Sequence, residues 1–374
     1  MKGVILVENS FVHPYMPNSV PENKKAMLDE LGINSVEDIY KSIIPDELLY
    51  KERLDIPEPI RSEYELKRHV MGILNRDITT EEYTSFLGAG CYKHQVPAIC
   101  DEINSRGEFL TAYCGDTYSD HGKMQAIFEY TSMMGELLDT DVVSYTTYDG
   151  GQAVASSLRM AVRAVREKGM AGKVILVPKT MNPEIYSQVV QYCRNVAEVR
   201  KIAYEPETGL MDLEELKEQL AKKNVAAVFF ENPTYLGNFE TRGEEIAKLA
   251  HDAGAYCVVQ TEVAALGIME SPVNQGADIV CGDIQPLGMH IQFGGGQAGF
   301  IACNQNMDLV EQFPTYMYGI TETEKEDTYG WGRAMNYRSS HGSRENAKEY
   351  FGTETGLWAI TAGVYLASMG PQGM

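Results

Sequence analysis

The residues able to do chemistry gather at a few points of this 374-residue sequence. Asp149-Gly150-Gly151 opens a long apolar-periodic stretch, and backbone N–H groups at such a helix entry can cradle a phosphate. A glycine-rich helix entry has a purely structural use as well. Asn232-Pro233-Thr234-Tyr235 follows an apolar run ending at Phe230, at the C-terminal strand edge where α/β sites form, although the same composition makes a good turn. RSSHGSRENAK at 338–348 sets Arg338, His341 and Arg344 beside Glu345. Guanidinium groups so placed can hold a carboxylate or phosphate, and the segment reads equally well as a solvated, salt-bridged one. His121, in YSDHGK at 118–123, precedes a long helix as a candidate base or substrate-loop donor. A plain capping loop around Ser119 and Asp120 is the alternative. FGGGQAG at 293–299 lacks both the lysine of a P-loop and the GxGxxG order, so it reads as a turn. By themselves these residues indicate an α/β enzyme or enzyme subunit and leave its reaction open.

The elements that must position them follow from periodicity. Helices are predicted over 124–138, 150–168, 183–194, 212–222 and 242–253, alternating with strands over 173–178, 196–202, 225–230, 256–260 and 278–281. Short, almost continuously apolar strands between helices predict a mostly parallel sheet covered on both faces. The first hundred residues are helical and irregular. A helix over 21–31 starts with a proline and stops at Gly32, and a second starts at Ser35 as N-cap with Asp38 three residues on. After a linker at 56–60 (IPEPI), a helix spans 62–74 and a short one opens at Thr79. Residues 321–338 are polar, aromatic and poorly periodic, and a last helix covers 355–369. We expect an N-terminal arm and interface segment over 1–110, a large α/β domain over 111–320, and the start of a C-terminal region over 321–374.

Composition narrows the partners. A net charge of −21 disfavours nucleic acid and anionic membranes, both polyanions. No stretch is long and apolar enough for a spanning helix, and the N-terminal apolar run is too short for a signal peptide. The seven cysteines are scattered without a CxxC pair, as expected of free thiols in the cytoplasm, and no ligand cluster for a metal is expected.

A series of motifs in order along the chain adds a resemblance. HPYMPN at 13–18, AMLDELGINSVEDIYKSIIPDEL at 26–48, FLGAGCYKHQVPA at 86–98 and SRGEFLTAY at 105–113 come first. Tyr148-Asp149-Gly150, Asn232-Pro233, GADIVCGDIQPLG at 276–288, FGGGQAGF at 293–300, Arg344-Glu345 and YLASMGPQG at 365–373 complete it. The sequence resembles subunit 1, the alpha-type subunit, of glycine decarboxylase, the P-protein of the glycine cleavage system. The resemblance implies the aminotransferase-like fold type I of pyridoxal-phosphate (PLP) enzymes. It implies a subunit of glycine dehydrogenase (aminomethyl-transferring, decarboxylating) that is inactive alone. Its lysine-bearing partner, subunit 2, holds the PLP, and a lipoylated H-protein accepts the aminomethyl group.

In such a fold the Schiff-base lysine follows the strand after the one bearing the pyridine-nitrogen carboxylate. Here Glu262 takes the acidic position and Gln285, in Asp283-Ile284-Gln285-Pro286, takes the lysine's, so no Schiff base is expected. Tyr113, Asp149 and Gly150 are the other cofactor-side candidates, with His121, Arg338 and Arg344 as candidate catalytic residues. The sequence also departs from the family. The loop 113–122 is shorter, with His121 and two acids introduced; Asn346 stands where the family has lysine; Glu349-Tyr350 replace small polar residues; and the C-terminal region is short. These departures keep two alternatives open: a related PLP heteromer with another amino acid or acceptor, and a non-catalytic scaffold of the same fold.

Overall fold

A computed structural model describes residues 12–50, 52, 54–86, 93–110, 121–292, 296–340, 342–351 and 354–374. The chain divides into two compact units, Met1–Thr79 and Thr80–Met374. In the first, Pro21 starts α1 (Pro21–Leu31), which Gly32 ends in the left-handed conformation at φ +66°. Helix α2 (Glu37–Lys41) begins later than expected, with Val36 rather than Ser35 as N-cap. The Asp38 carboxylate explains the shift, because it accepts from the N–H groups of both Asn34 and Ser35 at 3.1 Å. Ser62 caps α3 (Glu63–Leu74) by accepting from the Glu65 N–H at 3.4 Å. The helix expected from Thr79 is absent: residues 80–82 make only a turn, too short to offset the cost of nucleation.

The second unit runs α4 (Ala98–Asn104), α5 (His121–Leu138), β1 (Val142–Val143), α6 (Gly150–Glu167), β2 (Val174–Pro178), α7 (Pro183–Cys193) and β3 (Glu198–Ile202). It continues with α8 (Leu213–Leu220), β4 (Val225–Asn232), α9 (Gly243–Asp252), β5 (Tyr256–Thr261), β6 (Ile279–Asp283) and β7 (Gly299–Cys303). Helix α10 (Met307–Val310), strands β8 (Met317–Glu322) and β9 (Tyr329–Ala334), and helix α11 (Gly356–Gly373) complete it. The sheet order is β1-β7-β6-β5-β4-β2-β3. Strands β2 to β6 are parallel, and β7 runs antiparallel to both β6 and β1.

Period-two alternation divides the apolar residues of the strands between two cores. Ile175, Ala227, Val258, Ile279 and Ile301 face α6, α7 and α10. Leu176, Val228, Val259, Val280 and Phe300 face the opposite way, into the core that includes α5, α8, α9 and α11. Both faces are covered, so the strands read as continuous apolar runs. Helix α6 passes through one core with 14 of its 18 residues buried, which is why its sequence carries so many alanines and valines.

Four strands were not expected. β1 has two residues, β7 follows a glycine run in the sequence, and the β8–β9 hairpin, apart from buried Tyr318, is formed by exposed or half-buried residues rich in glycine, threonine and charge. Among the described residues no helix is long and apolar enough to cross a membrane.

Candidate functional site

Parallel strands β4, β5 and β6 end side by side, with Asn232 in register with Thr261 and Gln260 with Cys281. Backbone carbonyls there have no further ladder to join, and the N-terminus of α6 opens beside them, so polar side chains collect. Three carboxyl groups stand along this edge. Glu231, 5% exposed, accepts from the N–H groups of Asn182 and Tyr235 at 3.1 and 3.2 Å. Burial pushes its carboxyl up to about 7. Glu262 caps the turn Val263–Gly267 by accepting from the Ala264 N–H at 3.3 Å, and burial, with Asp283 nearby, raises it to about 7.

Asp283 is the most connected of the three. One carboxylate oxygen accepts from the Gly150 N–H at 2.8 Å, at the first turn of α6. The other accepts from Gln285 and Ala298 at 2.8 and 3.4 Å. Burial raises its carboxyl to about 6, against the pull of those three donors, with Asp149 adding repulsion. The packing is tight enough that a Cβ on Gly150 would lie 3.0 Å from the Asp283 Cβ. Asp149 is the N-cap of α6 and takes the Gln152 N–H at 2.6 Å. Behind it, a Cβ on Gly299 would stand 2.1 Å from the Thr147 hydroxyl and 2.2 Å from the Asp149 carbonyl, so β7 can press on the cap only through glycine.

Gln285 is buried, and its amide nitrogen donates to the Met289 carbonyl at 2.8 Å. A side-chain amide is not a nucleophile, and this one is also turned toward its own backbone. Asp149, Gly150, Glu262 and Gln285 therefore meet at one edge, while the other candidates lie elsewhere. His121 is the exposed first residue of α5, and Arg344 is exposed in a turn. Arg338 is 6% exposed and donates to the carbonyls of Phe313 and Thr315 at 2.8 and 3.3 Å. Those donors hold backbone, and burial lowers the guanidinium's pKa. Tyr113, His341 and most of the loop 113–122 lie outside the described residues, as do Phe293, Gly294 and Gly295.

Two groups escaped the reading of the sequence. Asp283 was visible only as a neighbour of the lysine-equivalent position. Glu349, singled out only as a departure, accepts from Arg159 at 2.6 Å and Arg163 at 3.0 Å and so ties the segment before α11 to α6. The i, i+4 spacing of the two arginines on a helix was the signal available. Among the described residues no group of three or more His, Cys, Asp or Glu is placed to hold a metal.

The edge does not fit the PLP phosphate that the resemblance brings to mind. Two amides of the α6 first turn already face carboxylates of this chain, and no amine stands at position 285.

Comparison with known proteins gives a consistent result. A sequence profile described as glycine cleavage system P-protein matches residues 13–374. The "probable glycine dehydrogenase (decarboxylating) subunit 1" of Pyrococcus horikoshii is 36% identical over 96% of this chain and 78% of its own length. The protein of that name from Carboxydothermus hydrogenoformans is also 36% identical, with the same coverage of both chains. A crystal structure of glycine decarboxylase, the P-protein of the glycine cleavage system, in an inhibitor-bound form superposes with a TM-score of 0.80 at 31% identity. It covers 97% of this chain and 78% of the other. The fold is that of the type I PLP-dependent transferases, with a mostly parallel sheet covered by helices, as expected.

Proposed function

Because the chain belongs to the glycine cleavage system P-protein family, we propose that it is the lysine-free subunit of a glycine dehydrogenase (decarboxylating) heteromer, supporting glycine decarboxylation there. The observation that carries this reading is Gln285, a buried amide bonded to Met289 at the position that the resemblance gives to the fold's covalent anchor. In this reading a lysine-bearing second subunit holds the PLP, and a lipoylated H-protein receives the aminomethyl group. PLP supplies a sink for the electron pair released as the carboxylate leaves.

This chain's own contribution is a surface that completes the pair. Among the described residues 12–79 none is buried, and this stretch carries 21 of the 37 exposed large apolar side chains described. Helices of ten residues or so owe most of their stability to packing of an apolar face, so such a segment calls for a covering partner. We assign the stretch 1–110 to that interface; His121 and Arg344, exposed groups of the second unit, are available for proton exchange and for holding an anion. Tyr113 and the loop around it belong to the same proposal.

Co-expression with the lysine-bearing subunit tests the reading through exchange of glycine's carboxyl carbon with labelled bicarbonate. The pair is expected to exchange, and each chain alone is not. A stable pair that leaves glycine untouched points to another amino acid or acceptor, and two chains that never associate leave only a scaffold.

A further inference from the structure

We infer that this chain's own copy of the fold's phosphate cradle is filled from within, by the carboxylate of Asp283. It rests on the proposed function only for the identity of the excluded ligand. In an α/β fold of this kind a ligand's phosphate lies at the C-terminal strand edge, against the free N–H groups of a helix start. The first turn of α6 is that helix start, and two of its donors already face carboxylates of this chain. The Gly150 N–H points at one Asp283 oxygen at 2.8 Å, and the Gln152 N–H at the Asp149 carboxylate at 2.6 Å.

Asp283 comes from the end of β6, a separate element, so it is not an ordinary N-cap supplied by the residue preceding the helix. Its second oxygen is fixed by the N–H groups of Gln285 and Ala298, which hold the carboxylate in one orientation. A phosphate dianion brought to the same amides would have to displace these carboxylates and meet their like charge, without the Schiff base that anchors PLP in this fold. The fold therefore keeps its anion-binding geometry and satisfies it with a resident anion. The close approach of Gly150 to Asp283, where a Cβ would meet the aspartate's Cβ at 3.0 Å, leaves no layer between them for a ligand oxygen.

The full chain can be tested without glycine turnover, so the outcome is separable from that of the proposed function. Pyridoxamine 5′-phosphate is the probe, since it carries the phosphate and cannot form an imine with surface lysines; inorganic phosphate is the second. Wild type is expected to show no saturable binding of either by fluorescence or calorimetry. Asp283→Ala frees the Gly150 amide and is expected to bind inorganic phosphate at least about tenfold more tightly than wild type. Asp283→Asn keeps the shape if the alanine variant does not fold, and hydrogen exchange at residues 150–152 is expected to quicken about tenfold while α9 is unaffected. Saturable binding of either probe to the α6 start in wild type overturns the inference. So does a folded Asp283→Ala chain that gains no phosphate, or an Asp283→Asn chain whose α6 start exchanges as slowly as wild type.

Discussion

Helices α3 and α6 come from the two units of the chain and face opposite situations. Helix α3 is well started, with Ser62 at its N-cap and two glutamates in its first turn, yet none of its residues is buried. Helix α6 is equally well capped, by Asp149, and lies almost wholly inside a core. Caps and propensity set where both helices begin; burial sets which one the chain can stabilise alone. The difference teaches that the second unit, taken by itself, has cores of its own, while the described residues of the first bury nothing among themselves.

The widest separation between the two regions should come from core truncation. Phe229 is fully buried against the α6 side of the sheet, and Phe229→Ala is expected to cost about 3–5 kcal/mol in urea unfolding of the isolated chain. A loss below 1 kcal/mol would mean that the sheet is not the chain's stabilising core.

The next effect is in the pH dependence of that unit. Glu231, Glu262 and Glu354 are each raised to about 7, chiefly by burial, with Asp283 beside Glu262 and Arg333 opposing the rise at Glu354. An acid whose folded pKa lies above its unfolded value of 4.5 is more protonated when folded throughout that interval. Its contribution is complete below the unfolded value and is lost as pH climbs to about 7. Urea midpoints should therefore fall between pH 5 and pH 7.5. Glu231→Gln should flatten that fall by on the order of 2–3 kcal/mol. A slope unchanged by the substitution would place the proton elsewhere.

A smaller effect is expected where Arg159 and Arg163 share Glu349. Their side chains retain 27% and 20% exposure, so solvent screens part of the attraction. Glu349→Gln is expected to cost about 1–2 kcal/mol. Proteolysis between 339 and 351 should quicken, and a segment as resistant as wild type would show that the ion pairs do not hold it.

The smallest effect should fall in the N-terminal unit. Leu66, 46% exposed, can become alanine with a change within about 0.5 kcal/mol in the isolated chain. The same variant should weaken binding to the lysine-bearing partner. If it instead unfolds the isolated chain and spares the pairing, the contrast between the two regions is wrong.

The sequence disclosed the repeating part of the fold well. The alternation of apolar runs and helices from α5 to β6 has a period to read. β7 and the hairpin lacked one: five residues after a glycine run, and two half-exposed strands, give too little alternation to distinguish them from loops. At the site, Gln285 could be placed because its meaning is local. Asp283 could not, because its bond to Gly150 spans 133 residues and exists only once β6 and α6 are packed. Arg338 makes the same point, since its partners at Phe313 and Thr315 are carbonyls, which have no signature in residue type.

The central claim, that this chain completes an enzyme it cannot be alone, is tested most directly by titration. With the lysine-bearing subunit fixed, this chain is added stepwise while exchange of glycine's carboxyl carbon with labelled bicarbonate is followed. The account predicts no exchange at zero addition and a rise that saturates as the two chains reach equal amounts. Full exchange by the partner alone, or exchange by this chain alone, would contradict it.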